Sequence, residues 1–244
     1  MEKSKWNLGI KTSYLERKYL MKDIRKLTPE NYWDYELGYW WFSDVSRFAK
    51  VLCHAELYKM IIDLPGTIAE FGVYKANSLI RWLSLREIFE TSSSRRIIGF
   101  DAFGTFPTKG LSSVNSDLNF IKEFEKDGGD GLSLEETNFI LKAKSFTNYE
   151  LINGDVRNTL LDFLKKNTSE KFSLIHLDMD VYEPTAFVLD KLFDRLVTGG
   201  LIVIDDYNTV EGATTAVDEF IVQHPNLKIE RLPYNNIPSF IRKC

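Results

Sequence analysis

The chain has 244 residues, 44% of them hydrophobic and 27% charged, which is the composition of a globular protein with enough apolar material for a core and excludes a disordered tail. Lys and Arg number 31 against 35 Asp and Glu, a formal charge of −4, whereas a dedicated nucleic-acid binder carries a basic excess. The longest apolar runs, such as residues 201–204, fall far short of the roughly 18–20 residues of a membrane span. No secretory leader is read in the first residues, and two cysteines, Cys53 and Cys244, make neither a disulfide framework nor a zinc site. No membrane, no nucleic acid and a cytoplasmic setting are the expectations.

The pattern divides at about residue 64, with a basic and aromatic N-terminal region over 1–64 and an α/β domain over 65–244. The first 27 residues hold eight basic and three acidic side chains, which reads as a solvated arm or as a collar for a phosphorylated substrate or a partner subunit. Thr28-Pro29-Glu30 is a helix start: a hydroxyl cap, proline in the first turn and an acid at the positive end of the dipole. Tyr32, Tyr35, Tyr39 and Phe42 then recur at helical spacing, with Trp33, Trp40, Trp41 and Phe48 beside them. Such a stripe is a packing face or a subunit interface, and a homodimer is the expectation.

From Pro65-Gly66 onward, short apolar strands alternate with amphipathic helices. Strands are expected over 67–73, 96–101, 149–154, 172–178 and 201–205, with helices over 77–91, 159–166, 184–197 and 213–224. Gly199-Gly200 is expected to end the third of these helices. Segments 227–232 and 239–242 read as a closing hairpin. This pattern predicts an open, doubly wound, mostly parallel seven-stranded sheet with helices on both faces, a Rossmann-like arrangement. One stretch breaks the alternation. About 102–148 is far longer than the usual 2–6 residue connection. It carries two helical stretches, one over 115–126 and one from Ser133, where Ser133 and Glu136 form a capping box. Gly128, Gly129 and Gly131 separate them. A glycine-hinged insertion at this edge of a sheet reads as a lid.

In open α/β sheets ligands sit outside the carboxyl ends of the strands, so the residues that follow each strand carry the information. The first is followed by one glycine, Gly72, where a dinucleotide fingerprint has three. That argues against a pyrophosphate, and so against a nicotinamide-dependent oxidoreductase, but permits close backbone approach to an uncharged or zwitterionic ligand. Asp101 ends the second strand, placed to accept both hydroxyls of a ribose, and Asp155 follows the third. The fourth ends in Asp178-Met179-Asp180 and the fifth in Asp205-Asp206. If those two are neighbours, four carboxylates converge, and each like-charge contact at ~4 Å costs about 4 kcal/mol at an effective dielectric near 20. A hard divalent cation relieves this, or protonation of one acid to make a general acid/base; the two can coexist. With oxygen ligands and no cysteine nearby, the cation is Mg²⁺ rather than zinc. His176, in mid-strand, reads as a buried, hydrogen-bonded core residue.

Residues 70–78, 101–107, 176–185 (HLDMDVYEPT) and 199–207 (GGLIVIDDY) together resemble the macrocin, mycinamicin and novobiocin sugar O-methyltransferases over roughly 66–220. These are class I enzymes that use S-adenosylmethionine and Mg²⁺ to methylate a deoxysugar hydroxyl. The resemblance implies Asp178, Asp205 and Asp206 as metal ligands and Asp180 as general base. It implies Glu70, Gly72 and Ser78 at the methionine end of the cofactor, Asp101 on the ribose and Asp155 near the adenine. The chain has Ala76-Asn77 where the family more often has two glycines, Met179 where it has glycine and Pro184 where it has serine. The acceptor implied is a small-molecule sugar: nucleotide-linked, on a natural product, or at a polysaccharide end. A catechol-type O-methyltransferase would use the same acids.

Overall fold

The computed structural model describes residues 32–108 and 115–244; the basic segment and the Thr28-Pro29-Glu30 helix start lie outside them. The chain divides into two compact units, residues 1–52 and 53–244. In the first, the aromatic stretch forms two helices rather than one: α1 (Tyr32–Phe42) and the beginning of α2 (Val45–Lys59). The break falls where the Asp44 carboxylate accepts the Ser46 N–H at 3.1 Å, the short-side-chain bond that starts a helix. Across it, Trp40 stacks on Phe48 with centroids 4.7 Å apart, and Tyr39 meets Phe48 edge-on at 5.2 Å. Trp40 nonetheless remains 63% exposed.

The second unit is built on β1 (Thr67–Phe71), β2 (Ile97–Asp101), β3 (Tyr149–Asn153), β4 (Phe172–Leu177), β5 (Leu196–Ile204), β6 (Ile229–Arg231) and β7 (Ser239–Arg242). They form one sheet in the order β3-β2-β1-β4-β5-β7-β6. The first five are parallel, and β7 runs antiparallel to both β5 and β6. Its helices are α3 (Asn77–Phe89), α4 (Asn115–Gly128), α5 (Leu134–Ala143), α6 (Val156–Lys166), α7 (Tyr182–Leu192) and α8 (Glu211–Gln223). The seven-stranded, mostly parallel sheet is the one the alternation predicts. Among the described residues, no helix is long and apolar enough to cross a membrane.

Successive strand side chains point to opposite faces, so each strand feeds two cores. Ala69, Ile98, Ile175 and Ile204 pack with Leu160 and Phe163 of α6, Val188 of α7 and Phe220 of α8. Their neighbours Ile68, Ile97, Leu174 and Val203 pack with Leu57 of α2, with Trp82 and Leu83 of α3 and with Leu141 of α5. This two-sided burial is why the strands read as continuous apolar runs.

Two expectations shift. The helix predicted over 184–197 is α7 followed by a 3-10 turn, Phe193–Arg195, and the glycine pair does not end it: Gly199 and Gly200 lie inside β5. The pairing of β4 with β5 explains this. Phe172 faces Leu196 and Leu174 faces Leu201, so the strand begins early and the intervening residues bulge out. Pro184 falls in the first turn of α7, where its missing N–H has no partner to lose. The Ser133/Glu136 capping box forms as predicted.

Arg95, 4% exposed and just ahead of β2, ties the edge of this fold together. Its guanidinium donates to the carbonyls of Ile61, Ile62, Leu64 and Gly66, to Ser173 Oγ and to both oxygens of Glu90. Replacing it by methionine keeps the apolar stem but orphans these acceptors and the Glu90 charge. Arg95→Met is expected to cost roughly 3–5 kcal/mol, read as a lower urea midpoint at unchanged slope.

Candidate active site

The switch in strand order falls between β1 and β4, and there the acids converge. Leu177 pairs with Ile204, so Asp178 and Asp205 are the first residues beyond two adjacent strands, whose axes lie about 4.8 Å apart. The Asp205 N–H donates to the Leu177 carbonyl at 2.9 Å, which fixes that offset. Asp178, Asp205 and Asp206 each present a carboxylate oxygen, all within 4.8 Å of one another. Asp205 and Asp206 are only 7% exposed. Asp180 joins through its backbone, its N–H donating to Asp206 Oδ2 at 3.1 Å and its carbonyl accepting the Ala213 N–H. The predicted cluster is therefore three acids with the fourth held beside them. Three hard oxygen donors gathered at low exposure suit Mg²⁺.

The turn after β1 lies against this cluster. Gly72 has φ +91°, and a Cβ there would sit 1.8 Å from the Asp178 carbonyl oxygen, so only glycine lets the two strand ends touch. Glu70 is fully buried, with Oε1 accepting the Ser78 hydroxyl at 2.6 Å, which ties the strand to the start of α3. Asp101 Oδ2 accepts the N–H groups of Val73 and Tyr74 at 2.6 and 2.9 Å, and Oδ1 accepts that of Phe103 at 2.6 Å. Its carboxylate thus shapes the turn, with acceptor capacity remaining. Ala76 takes the left-handed conformation, φ 58°, where a glycine would be relaxed. Tyr74, Phe103, Asp180 and Asn208 share such positive φ values in turns that follow strands.

Asp155 stands one strand further out. It caps α6 by accepting the Arg157 N–H, and it pairs with the Arg157 guanidinium, which holds its carboxyl below the usual carboxylate range.

Five contributors, Trp82, His54, Tyr74, Asp117 and Gly212, carry no individual signal in the sequence. Trp82 Nε1 donates to His176 Nδ1 at 3.3 Å, and His54 stacks on Trp82 at 4.3 Å. Tyr74 donates its hydroxyl to the carbonyls of Gly128 and Gly129, at the end of α4, so the glycine segment expected as a hinge is docked on the turn. Asp117 of α4 accepts the Tyr182 N–H at 2.9 Å, at the start of α7. Gly212 of α8 leaves room for it, since a Cβ there would lie 2.2 Å from Asp117 Oδ1. Burial pushes the Asp117 carboxyl up despite that bond. Helix spacing gives no signal for a bond between residues so distant in sequence.

His176 is buried, as expected, between two acids: Nδ1 lies 3.9 Å from Glu70 Oε2 and Nε2 lies 3.8 Å from Asp205 Oδ1. Burial disfavours charge on the ring, whereas Asp205 and Glu70 favour it. The indole contact opposes them. Trp82 can only donate, so the Nδ1 that receives it bears no proton, and an imidazolium would set two N–H groups against each other. The hydrogen-bond geometry is the stricter condition and assigns the neutral tautomer protonated at Nε2.

A doubly wound sheet in this order, with a reversed seventh strand, is that of a Rossmann-like class I methyltransferase. The profile of the macrocin O-methyltransferase (TylF) family matches residues 52–233, and the chain belongs to that family. It is 28% identical over 162 residues to the 8-demethyl-8-(2,3-dimethoxy-alpha-L-rhamnosyl)-tetracenomycin-C 4'-O-methyltransferase of Streptomyces olivaceus, covering 64% of this chain and 58% of that one. It is 25% identical over 166 residues to the mycinamicin III 3''-O-methyltransferase of Micromonospora griseorubida, covering 66% and 62%. The chain thus spans about three fifths of the length of these curated relatives. The crystal structure of the calicheamicin methyltransferase CalS11 superposes with a TM-score of 0.70 over 93% of this chain and 91% of that one, at 24% identity.

Gly72→Ala is expected to destabilise the fold by about 3 kcal/mol or more, from the left-handed backbone and the clash with Asp178. A melting curve reads the stability, and a titration with S-adenosylmethionine should show weakened binding at the same time.

Proposed function

We propose that this chain transfers the methyl group of S-adenosylmethionine to a hydroxyl of a sugar, with Mg²⁺ held by Asp178, Asp205 and Asp206. The observation that carries this reading is the meeting of those three carboxylates beside the Gly72 turn, at the switch point of a methyltransferase sheet. The turn over residues 72–77 and Asp101 would hold the cofactor, with Asp155 near the adenine and Glu70 and Ser78 bracing the methionine end. When bound, S-adenosylmethionine supplies a methyl group on a sulfonium and departs as a neutral thioether, so no acid is needed for the leaving group. A cation held by Asp178, Asp205 and Asp206 would supply Lewis acidity to an acceptor hydroxyl.

The chain's own residues do the rest. Asp180 takes the hydroxyl proton onto its carboxylate as the oxygen forms its bond to the methyl carbon. Its left-handed backbone, its N–H bond to Asp206 and its carbonyl bond to Ala213 hold it next to the ligands. Asp117 and Tyr74 hold α4, within the 102–148 insertion, over this rim as a lid that keeps water out. The names of the relatives, which include a rhamnosyl 4'-O-methyltransferase, support a deoxysugar acceptor. The local basic excess of the first 27 residues favours a nucleotide-linked one. The exposed Trp40 and its aromatic neighbours support a homodimer, read by sedimentation velocity.

Incubation with methyl-labelled S-adenosylmethionine and a panel of nucleotide sugars and catechols should label a sugar, with loss of transfer in EDTA. Asp205→Asn is expected to abolish Mg²⁺-dependent turnover yet keep cofactor binding, and persistence of turnover would remove the metal assignment. Asp180→Asn is expected to lower kcat roughly 10²–10⁴-fold while Mg²⁺ affinity holds. Equal losses in both would contradict its role as base.

A further inference from the structure

We infer that His176 is a positioning residue for the metal ligand Asp205, fixed in its working tautomer by the Trp82 indole; this rests on the metal assignment above. Glu70, His176 and Val203 are register partners across β1, β4 and β5, which places the imidazole in mid-sheet, two residues inward of Asp178 and Asp205. Around it lie Trp82, which donates to Nδ1, and His54, whose ring meets it edge-on at 5.4 Å. An indole N–H has no acceptor function, so this contact selects the ring form with Nδ1 bare and Nε2 protonated. That Nε2 is fully buried and has no hydrogen-bond partner among the described residues. The acid it faces is Asp205, with Oδ1 at 3.8 Å, about 1 Å beyond a hydrogen bond.

A buried donor in that position has one use for the site. It presents an N–H to one oxygen of Asp205 across 3.8 Å and so biases how the carboxylate turns toward its neighbours Asp178 and Asp206. Carboxylates that bind cations are themselves held by hydrogen bonds from behind, and removing such support costs roughly 10–100-fold in metal affinity. The second grouping of candidate ligands, His54, His176 and Asp205, is accounted for in the same way: the imidazoles form the layer behind Asp205.

The test measures Mg²⁺ binding by calorimetry on the full chain without acceptor, for wild type, His176→Leu and His176→Gln. Leucine removes the donor, whereas the glutamine amide restores an N–H near the Nε2 position. The leucine variant is expected to bind Mg²⁺ about 10–100-fold more weakly with S-adenosylmethionine affinity preserved, and the glutamine variant to recover most of the loss. A merely structural role would not separate the two. Nitrogen-15 NMR of the wild-type chain, which needs no variant to fold, should show His176 protonated at Nε2 and bare at Nδ1. Wild-type Mg²⁺ affinity in the leucine variant, no recovery with glutamine, or a proton on Nδ1 would each overturn the inference. A wild-type chain that takes up no Mg²⁺ would instead overturn the metal assignment on which it stands.

Discussion

The offset between β4 and β5 is the constraint on which the site depends. Because Leu177 and Ile204 are partners, the residues that follow them must emerge side by side, and both are aspartates. A slip of one residue would turn every side chain of one strand to the opposite face. It would separate the acids and push Ile202 and Ile204 out of the core in which they are buried. The apolar interior therefore enforces the proximity of the carboxylates, and their mutual repulsion is borne by packing that serves the whole domain. Concentrating negative charge in this way makes chemical sense where a cation is to be held.

Strain gathers at the same rim. Tyr74, Ala76, Phe103, Asp180 and Asn208 all hold left-handed backbones, a conformation that side chains with a Cβ adopt at a cost. Several of the turns that carry them have their amide N–H groups bonded to acids, with Asp101 taking three and Asp206 one. Sharp turns keep the strand ends short and backbone groups directed at the crevice, and the carboxylates hold them there.

Much of this was legible in the sequence. Short apolar strands between amphipathic helices define the sheet, and acids at the ends of strands mark the crevice. The Ser133/Glu136 box marks the start of α5, because capping is local and its spacing is fixed. What escaped is non-local or ambiguous in composition. A glycine pair after a helix reads as a stop, but Gly199 and Gly200 sit within an irregular strand whose early start depends on pairing with Phe172. Asp117 looks like an ordinary acid in a first turn, and its bond to Tyr182 exists only once α4 lies across α7. The aromatic stretch reads as one helix, because nothing but the short Ser43-Asp44 step marks the break. His176 reads as buried, yet its two acid neighbours follow from strand order, which periodicity does not carry.

The insertion helix α4 is fastened near each end, to the Tyr182 amide by Asp117 and to the Tyr74 hydroxyl by the Gly128 and Gly129 carbonyls. A bar pinned at two points cannot tilt about one of them without breaking the other bond. Displacement of α4 therefore requires the bar to detach at an end or to lift whole. One anchor belongs to the turn after β1 and the other borders the aspartate motif after β4, so a single helix joins the two loops.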